Sequence, residues 1–374
     1  MERSLRPETM KIRESSYQGD KNQSVFAYPP ISSIPLSPFL HFSATIVTMT
    51  SPFSAFLESG AGVAVLDGGL ATELEQRGLD LRDPLWSAKI LVEKPHEIEA
   101  VHYDYFQAGA DVGTSASYQA TFEGFAARGI GVNEAERLLR LSVELVDRAR
   151  DRFWREEANR AGREHPLVAA SVGCYGASLH DGSEYRGDYG LSLKELIEFH
   201  RPRLRVLADS GADVLAFETI PSMLEAEAVV TLLDEIPNAP PAWVSFSCGS
   251  AIEICHGEPL AKCFAATGAS EAVLAVGINC TPPRFVSGLL VSARGATRKL
   301  VAVYPNSGEI WNATKQIWIP GEPSAPSEEL APEWRRLGAR LIGGCCRTTP
   351  STIRALRATL SAQQIVSNDA PEGP

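Results

Sequence analysis

The chain has 374 residues, of which 44% are hydrophobic and 22% charged, which is enough material for a large core. Its net charge of -11, with no long basic run, argues against binding to nucleic acid or to an anionic membrane. The longest apolar stretches are strand-sized, whereas a membrane span needs roughly 20 residues, so we expect no spanning segment.

The N-terminal part of the chain differs in composition from the rest. Residues 1–48 are rich in Ser and Pro and have no sustained hydrophobic period, which is typical of disorder. We therefore predict a disordered extension over residues 1–60, a folded domain over residues 61–362 and a flexible tail over residues 363–374. Met49 could be the start of translation, so the sequence leaves open whether residues 1–48 are translated, disordered or a targeting segment.

Eight short apolar runs alternate with helical patterns from residue 61 onward. They cover residues 63–66, 110–114, 167–172, 213–217, 242–246, 273–277, 300–304 and 339–342. Continuous runs of this kind are typical of parallel strands buried on both faces. Eight β/α units over about 300 residues predict an α/β protein with a (β/α)₈ barrel, the TIM-barrel fold. The alternative, an open doubly wound sheet, normally has fewer strands and a glycine-rich phosphate loop, and no Gly-x-Gly-x-x-Gly follows any run.

Helix signals lie between these runs. Ser192 with Glu195, and Ser222 with Glu225, have the spacing of a capping box at a helix start. Pro202 lies inside the first of these patterns, and we expect it to kink or break that helix.

Three cysteines follow the ends of predicted strands. Cys280 comes after the sixth run, and Cys345 and Cys346 come after the eighth. Active sites of this barrel lie at the carboxyl ends of the strands, so we expect these thiols to meet there. Three thiolates can hold Zn²⁺ and leave its fourth position open, and the sequence therefore predicts a catalytic Zn²⁺ site. The adjacent pair could instead be two small buried apolar residues.

The other cysteines and the histidines limit the alternatives. A closed, structural zinc site would need a fourth sulfur, from Cys174 or Cys248. None of the seven histidines forms a His-x-His or His-Glu-x-x-His pattern, which disfavours a zinc hydrolase. The odd number of seven cysteines, without dense spacing, favours a reduced, cytoplasmic compartment.

Polar residues follow other predicted strands and should share the same barrel mouth. Asp67 ends the first run, Tyr118 and Gln119 follow the second, Glu218 ends the fourth, and Asn306 follows the seventh. Three of them have a structural alternative when taken alone: Asp67 as a turn residue, Glu218 as a carboxylate near a helix start, and Asn306 as a loop-stabilising amide. The shared mouth favours a functional role.

Eight motifs resemble the homocysteine S-methyltransferase family, over nearly all of the chain from about residue 63 to residue 360. They are LDGGLATELE at 66–75, LWSAK at 85–89, SYQAT at 117–121, DGSEYRG at 181–187, FETIP at 217–221, GINC at 277–280, YPNSGE at 304–309 and GGCC at 343–346. The third and fourth motifs resemble the branch that uses S-methylmethionine or S-adenosylmethionine rather than betaine.

The resemblance implies a zinc-dependent barrel enzyme that methylates L-homocysteine to L-methionine with a sulfonium donor. It implies Cys280, Cys345 and Cys346 as zinc ligands, and no catalytic residue beyond them. For the substrates it implies binding by Asp67 and Glu218 to an ammonium group and by the amides around Gly68 and Gly69 to a carboxylate. We also expect substrate contacts from Tyr118, Asn279 and Asn306. One alternative is a zinc-dependent methyltransferase of the same fold that uses betaine as its donor or a selenol as its acceptor. Another is a non-catalytic structural zinc barrel.

The sequence does not identify the preferred donor or the oligomeric state. Cys174 stands where this branch usually has proline. It could be a reactive thiol near the mouth or a neutral replacement.

Overall fold

The computed structural model describes residues 52–58, 62–83, 85–312 and 317–368. Residues 1–51 of the predicted extension and residues 369–374 of the predicted tail lie outside the described ranges. At the inner edges of both segments the structure differs from the prediction. Ser54–Glu58 form helix α1, with Phe53 and Phe56 buried, and the last helix continues to Asn368. The two phenylalanines share a cluster with residues inside the barrel, and this packing explains the order.

The eight predicted strands are all present. Their bounds are β1 Ala64–Val65, β2 Val112–Thr114, β3 Leu167–Gly173, β4 Val214–Ile220, β5 Ala242–Phe246, β6 Val273–Asn279, β7 Leu300–Tyr304 and β10 Ala339–Ile342. A second, antiparallel pair, β8 Ile310–Asn312 and β9 Ile317–Ile319, lies between β7 and β10 in the chain. The sequence analysis did not predict this hairpin.

Helices occupy the segments between the strands. They are α1 Ser54–Glu58, α2 Leu70–Gln76, α3 Ala88–Glu93, α4 Pro95–Ala108, α5 Phe122–Ala127, α6 Val132–Arg155, α7 Glu157–Arg160, α8 Tyr175–Leu179, α9 Leu193–Ala208, α10 Met223–Glu235, α11 Leu260–Thr267, α12 Pro283–Ser292, α13 Ser327–Arg336 and α14 Pro350–Asn368. None of the helices in the described ranges is long and apolar enough to cross a membrane.

The strands form one parallel sheet that closes into a barrel. Its order is β1-β10-β7-β6-β5-β4-β3-β2. A parallel bridge between Leu66 and Val112 joins the two outer strands, and the Asp67 N–H donates to the Val112 carbonyl at 3.1 Å. The predicted (β/α)₈ barrel is confirmed.

Two of the predicted helix starts show how local signals compete with packing. At α9 the Ser192 and Glu195 pair forms a complete capping box. At α10 Ser222 caps the helix, but the Glu225 carboxylate turns away to accept from the Tyr175 N–H and to bond His200. Pro202 does not end α9, which continues to Ala208, so of the predicted kink or break the break does not occur; Leu204 and Leu207 beyond it are held in the core.

The alternation along the strands sends every second side chain into the barrel. In β4, Val214 and Ala216 belong to the interior cluster, whereas Leu215 and Phe217 pack outward against the helices. Glu218 continues the inward phase. The alternation of side chains along β4 therefore places the Glu218 carboxylate at the top of the barrel interior.

Candidate active site

The three predicted ligand cysteines meet at the barrel mouth. Their sulfurs all lie within 4.8 Å of one another. Cys280 and Cys345 are joined as a disulfide, and the Cys346 sulfur lies 3.7 Å from that of Cys280 and 4.0 Å from that of Cys345. Cys174 and Cys248 are buried and lie outside this cluster. All seven cysteines fall within the described residues, so the cluster has three sulfurs and the fourth needed for a closed structural site is lacking.

Glycines allow the loops after β1 and β10 to approach each other closely. A Cβ on Gly69 would lie 2.8 Å from the Cys345 carbonyl oxygen, and one on Gly344 would lie 2.3 Å from Thr348 Oγ1. Thr348 Oγ1 in turn donates to the Cys345 carbonyl at 2.7 Å. Larger residues at the two glycine positions would push the cysteine loop away from β1.

Asn279 connects the cysteine cluster to the end of β4. The Asn279 side chain is fully buried. Its Oδ1 accepts from the Thr219 N–H at 2.7 Å, and its Nδ2 donates to Thr219 Oγ1 at 2.8 Å and lies 3.9 Å from Cys345 Sγ. Thr219 has a φ of 61°, which is uncommon for a β-branched residue. The amide thus fixes a strained backbone turn and one of the candidate ligands together.

Asp67 is held at the seam where the barrel closes. Its Oδ2 accepts from the Thr114 N–H at 2.7 Å, and its Oδ1 accepts from Thr114 Oγ1 at 3.0 Å. Burial raises the pKa of Asp67 to about 8, against the opposing effect of the Thr114 hydrogen bonds, and the nearby Glu218 carboxylate adds to the rise. A cation bound here would offset this cost of desolvation.

Glu218 belongs to a polar layer at the top of the barrel interior. Ser171 Oγ donates to Glu218 Oε1, and Tyr304 also hydrogen-bonds the carboxylate. The Tyr304 hydroxyl also lies 2.7 Å from Ser245 Oγ and accepts from Trp243 Nε1 at 3.0 Å. Burial raises the pKa of Glu218 to about 7. The layer holds the carboxylate in one orientation facing the mouth.

A cleft surrounds the thiols and combines acidic and aromatic side chains. Its acidic lining residues are Asp67, Glu75, Asp83, Glu184 and Glu218, and its large aromatic ones are Trp86, Tyr118, Tyr185, Tyr304, Trp311 and Trp318. Among the described lining residues the carboxylates outnumber the one arginine, Arg82. Carboxylates and aromatic faces both attract cations, so the cleft suits a positively charged ligand.

Most of the predicted site residues line this cleft. Asp67, Gly68, Gly69, Tyr118, Glu218 and the three cysteines all do so. The Gly69 N–H already donates to the carbonyl and to Oγ1 of Thr348, both at 3.2 Å. Asn279 lies behind the cysteines, and Asn306 Oδ1 accepts from the Gly308 N–H at 2.8 Å within its own loop. Substrate contacts by all of the predicted residues stay predictions.

The structure adds residues that the sequence analysis did not select. Thr114 and Ser171 orient Asp67 and Glu218, and Glu184 and Trp318 line the cleft. Glu184 lies inside one of the motifs quoted above, so a signal for it was present. Trp318 lies in the unpredicted hairpin, where its ring centroid is 5.3 Å from that of Trp311.

The donor set at the mouth fits a zinc ion. Three sulfurs within 4.8 Å match the number and type of ligands that a catalytic zinc site uses. The disulfide between Cys280 and Cys345 must be reduced before all three can act as thiolate ligands.

Fold and site together define the class of this protein: a (β/α)₈ barrel with three convergent thiols and an acidic, aromatic cleft at the carboxyl ends of its strands. The family model described as "Homocysteine S-methyltransferase" matches residues 64–360. The chain therefore belongs to the homocysteine S-methyltransferase family, as its motifs predicted, and it is a methyltransferase.

Individual relatives agree with the family model. The chain is 50% identical to Homocysteine S-methyltransferase 1 of Zea mays, over 81% of this chain and 95% of that protein. It is 48% identical to Selenocysteine Se-methyltransferase of Brassica oleracea var. italica, over 82% of this chain and 92% of that protein. The crystal structure of the homocysteine methyltransferase MmuM from Escherichia coli in its metallated form has a TM-score of 0.74 and 44% identity, covering 82% of this chain and 99% of that one.

Proposed function

We propose that this protein is a zinc-dependent homocysteine S-methyltransferase that transfers a methyl group from S-methylmethionine or S-adenosylmethionine to L-homocysteine, forming L-methionine. The observation that carries the proposal is the convergence of Cys280, Cys345 and Cys346 within 4.8 Å at the mouth. In their reduced state these residues would hold the zinc ion, which supplies positive charge that keeps a thiol ligand in its nucleophilic thiolate form.

Two carboxylates support recognition of an amino-acid acceptor. Asp67 and Glu218 line the same cleft as the thiols and are buried, and this burial raises their pKa values to about 8 and about 7. An ammonium group between them would restore the charged form of each and replace the lost solvation. Their fixed hydrogen bonds to Thr114 and Ser171 mean that little reorganisation is needed on binding.

The aromatic residues support a sulfonium donor. Tyr118 and Trp86 lie edge to face with ring centroids 6.4 Å apart, and both line the cleft. A sulfonium ion carries a full positive charge with no hydrogen to donate, so ring faces and carboxylates are its natural partners. As the methyl group moves to the acceptor sulfur, this charge disappears, and the chain needs only to hold the two sulfurs in line and exclude water.

A methyl-transfer assay tests the proposal directly. Reduced, zinc-loaded protein is incubated with homocysteine and each donor in turn, and methionine is measured. We expect methionine with at least one sulfonium donor, loss of activity after chelation and recovery on adding zinc. Full activity in metal-free protein would contradict the zinc dependence, and activity with betaine alone would contradict the sulfonium donor.

A selenol acceptor is a second candidate, favoured by the 48% identity to a Selenocysteine Se-methyltransferase. Selenocysteine is one methylene shorter than homocysteine, so its ammonium would lie closer to the reacting atom. Competition between the two acceptors at equal concentration measures the preference. We expect homocysteine to react faster.

A further inference from the structure

Gln119 lines the cleft and has a hydrogen-bond acceptor without a partner among the described residues. Its Nε2 donates to the Ala177 carbonyl at 2.8 Å and lies 3.2 Å from His180 Nδ1. Because a carbonyl can only accept, this contact fixes which end of the amide is the nitrogen. The opposite atom, Oε1, is buried and has no hydrogen-bond partner within the described residues, and Gln119 as a whole is only 9% exposed.

The His180 ring is compatible with this orientation of the amide. Burial lowers the pKa of His180, which favours the neutral ring, whose Nδ1 can accept from Gln119 Nε2. Both contacts of the Gln119 nitrogen are therefore to acceptors, and its oxygen faces away from them.

Glu184 supplies a second unused acceptor in the same cleft. Its Oε2 is buried without a hydrogen-bond partner in the described part of the chain. The backbone around it is well fixed, since the Glu184 carbonyl accepts from Ser247 Oγ at 2.9 Å. A buried, unpaired carboxylate oxygen is costly unless a ligand supplies the missing donor.

Both acceptors lie against the same short helix, α8. Gln119 bonds the Ala177 carbonyl of this helix, and the neighbouring Gly176 lies so close to Glu184 that a Cβ there would be 2.5 Å from the Glu184 backbone nitrogen. Residues from the loop after β2 and from the Ser183–Tyr185 3-10 helix are thereby brought together on one wall of the cleft.

We infer that Gln119 and Glu184 form a second ammonium-binding site, which holds the α-ammonium group of the methyl donor. The inference rests on the proposed function, in which two amino acids occupy the cleft together. Each of them carries an ammonium group, and Asp67 with Glu218 accounts for only one. A primary ammonium offers three N–H donors to these oxygens, whereas the sulfonium centre offers none.

Binding measurements test the inference with a donor and its analogue that lacks the ammonium group. Dissociation constants are measured by calorimetry for S-methylmethionine and for 4-(dimethylsulfonio)butanoate, which keeps the carboxylate and the sulfonium. Wild-type protein should bind S-methylmethionine about tenfold to a hundredfold more tightly than the analogue, as expected for a charge-assisted hydrogen bond. In Glu184→Gln and Gln119→Met this preference should fall by about tenfold or more.

Two controls separate the site from general effects. Glu75→Gln removes another carboxylate that lines the cleft and should weaken both sulfonium ligands equally, so that their ratio is kept. Homocysteine affinity should stay within about twofold in Glu184→Gln, because charged contacts of the acceptor lie elsewhere. If Gln119→Met fails to fold, the isosteric Glu184→Gln variant decides the question.

The outcomes distinguish this inference from the proposed function. Three results would overturn the inference of an ammonium site: wild-type protein binds neither ligand, binds both with equal affinity, or shows the same preference as Glu184→Gln. A methyl-transfer assay on the same samples reports on the reaction separately. If the enzyme is active and its preference for S-methylmethionine is kept in both variants, the ammonium site is contradicted but the proposed function is not. If the enzyme is inactive but shows the predicted preference, the proposed reaction is contradicted but the ammonium site is not.

Discussion

Asp67 at the end of β1 accepts two hydrogen bonds from Thr114 at the end of β2, from its N–H at 2.7 Å and from its hydroxyl at 3.0 Å. The pair spans the seam at which the barrel closes and also lines the candidate active site. One contact therefore serves both the fold and the site.

Asp67→Asn should stabilise the protein at alkaline pH and weaken homocysteine binding. Burial raises the pKa of Asp67 from 3.8 to about 8 in the folded chain, so the folded state holds this proton more tightly than the unfolded state. The carboxyl group then lowers stability as pH rises from about 4 to about 8. Removing the charge should raise the free energy of unfolding at pH 8.5 by a few kcal/mol and by less at pH 5.5.

Calorimetric unfolding at the two pH values measures this effect. Thr114→Val serves as a matched variant, since it removes the hydroxyl bond but leaves the carboxylate buried, and it should lower stability. If the Asp67→Asn protein is less stable than wild type at pH 8.5, the folded protein already stabilises the charged carboxylate, and the prediction is contradicted.

Cys346→Ser should lose zinc. Removing one of the three clustered thiols takes away a soft, charged ligand, and we expect zinc affinity to fall by at least about tenfold. Metal content after dialysis of reduced protein gives the measurement. Cys255→Ser is the control, because that cysteine lies outside the cluster and is only partly buried. Equal zinc retention in the two variants would exclude the cluster as the metal site.

Asn279→Ala should destabilise the protein more than Asn306→Ala. The first substitution leaves the buried Thr219 N–H unpaired and removes the contact with Cys345, whereas the second removes one local bond to Gly308. We expect a loss of about 1–3 kcal/mol for Asn279→Ala, together with weaker zinc binding. Urea unfolding and zinc titration provide the two readouts, and unchanged zinc affinity would assign Asn279 to the fold alone.

Asp111→Ala should lower stability without altering substrate binding. The carboxylate is buried just before β2, at the opposite end of that strand from the site, where it accepts from the Val65 N–H at 2.8 Å and pairs with Arg163 and Arg357. Removing it leaves the two arginines with only backbone carbonyls to bond and without a compensating negative charge, at a cost of about 3–5 kcal/mol. Urea unfolding measures the loss, and homocysteine affinity should match that of wild type; a large change in affinity would contradict the separation of the two barrel ends.

The sequence was sufficient to predict the barrel because its strands are buried on both faces and so appear as continuous apolar runs. It could also place Asp67, Glu218 and the cysteines at one mouth, since each ends or follows such a run. The hairpin with Trp311 and Trp318 was not predicted, because its short strands lack a buried run. The pairing of Asp67 with Thr114, or of Glu218 with Ser171, depends on which strands are neighbours and on side-chain orientation, and neither is present in local periodicity.

X-ray absorption at the zinc edge, on reduced zinc-loaded protein with and without homocysteine, tests the central claim that the three-cysteine cluster leaves one position for the acceptor sulfur. We predict three sulfur ligands and one lighter ligand without homocysteine, and four sulfur ligands with it. A coordination shell that does not change on adding homocysteine would contradict the claim.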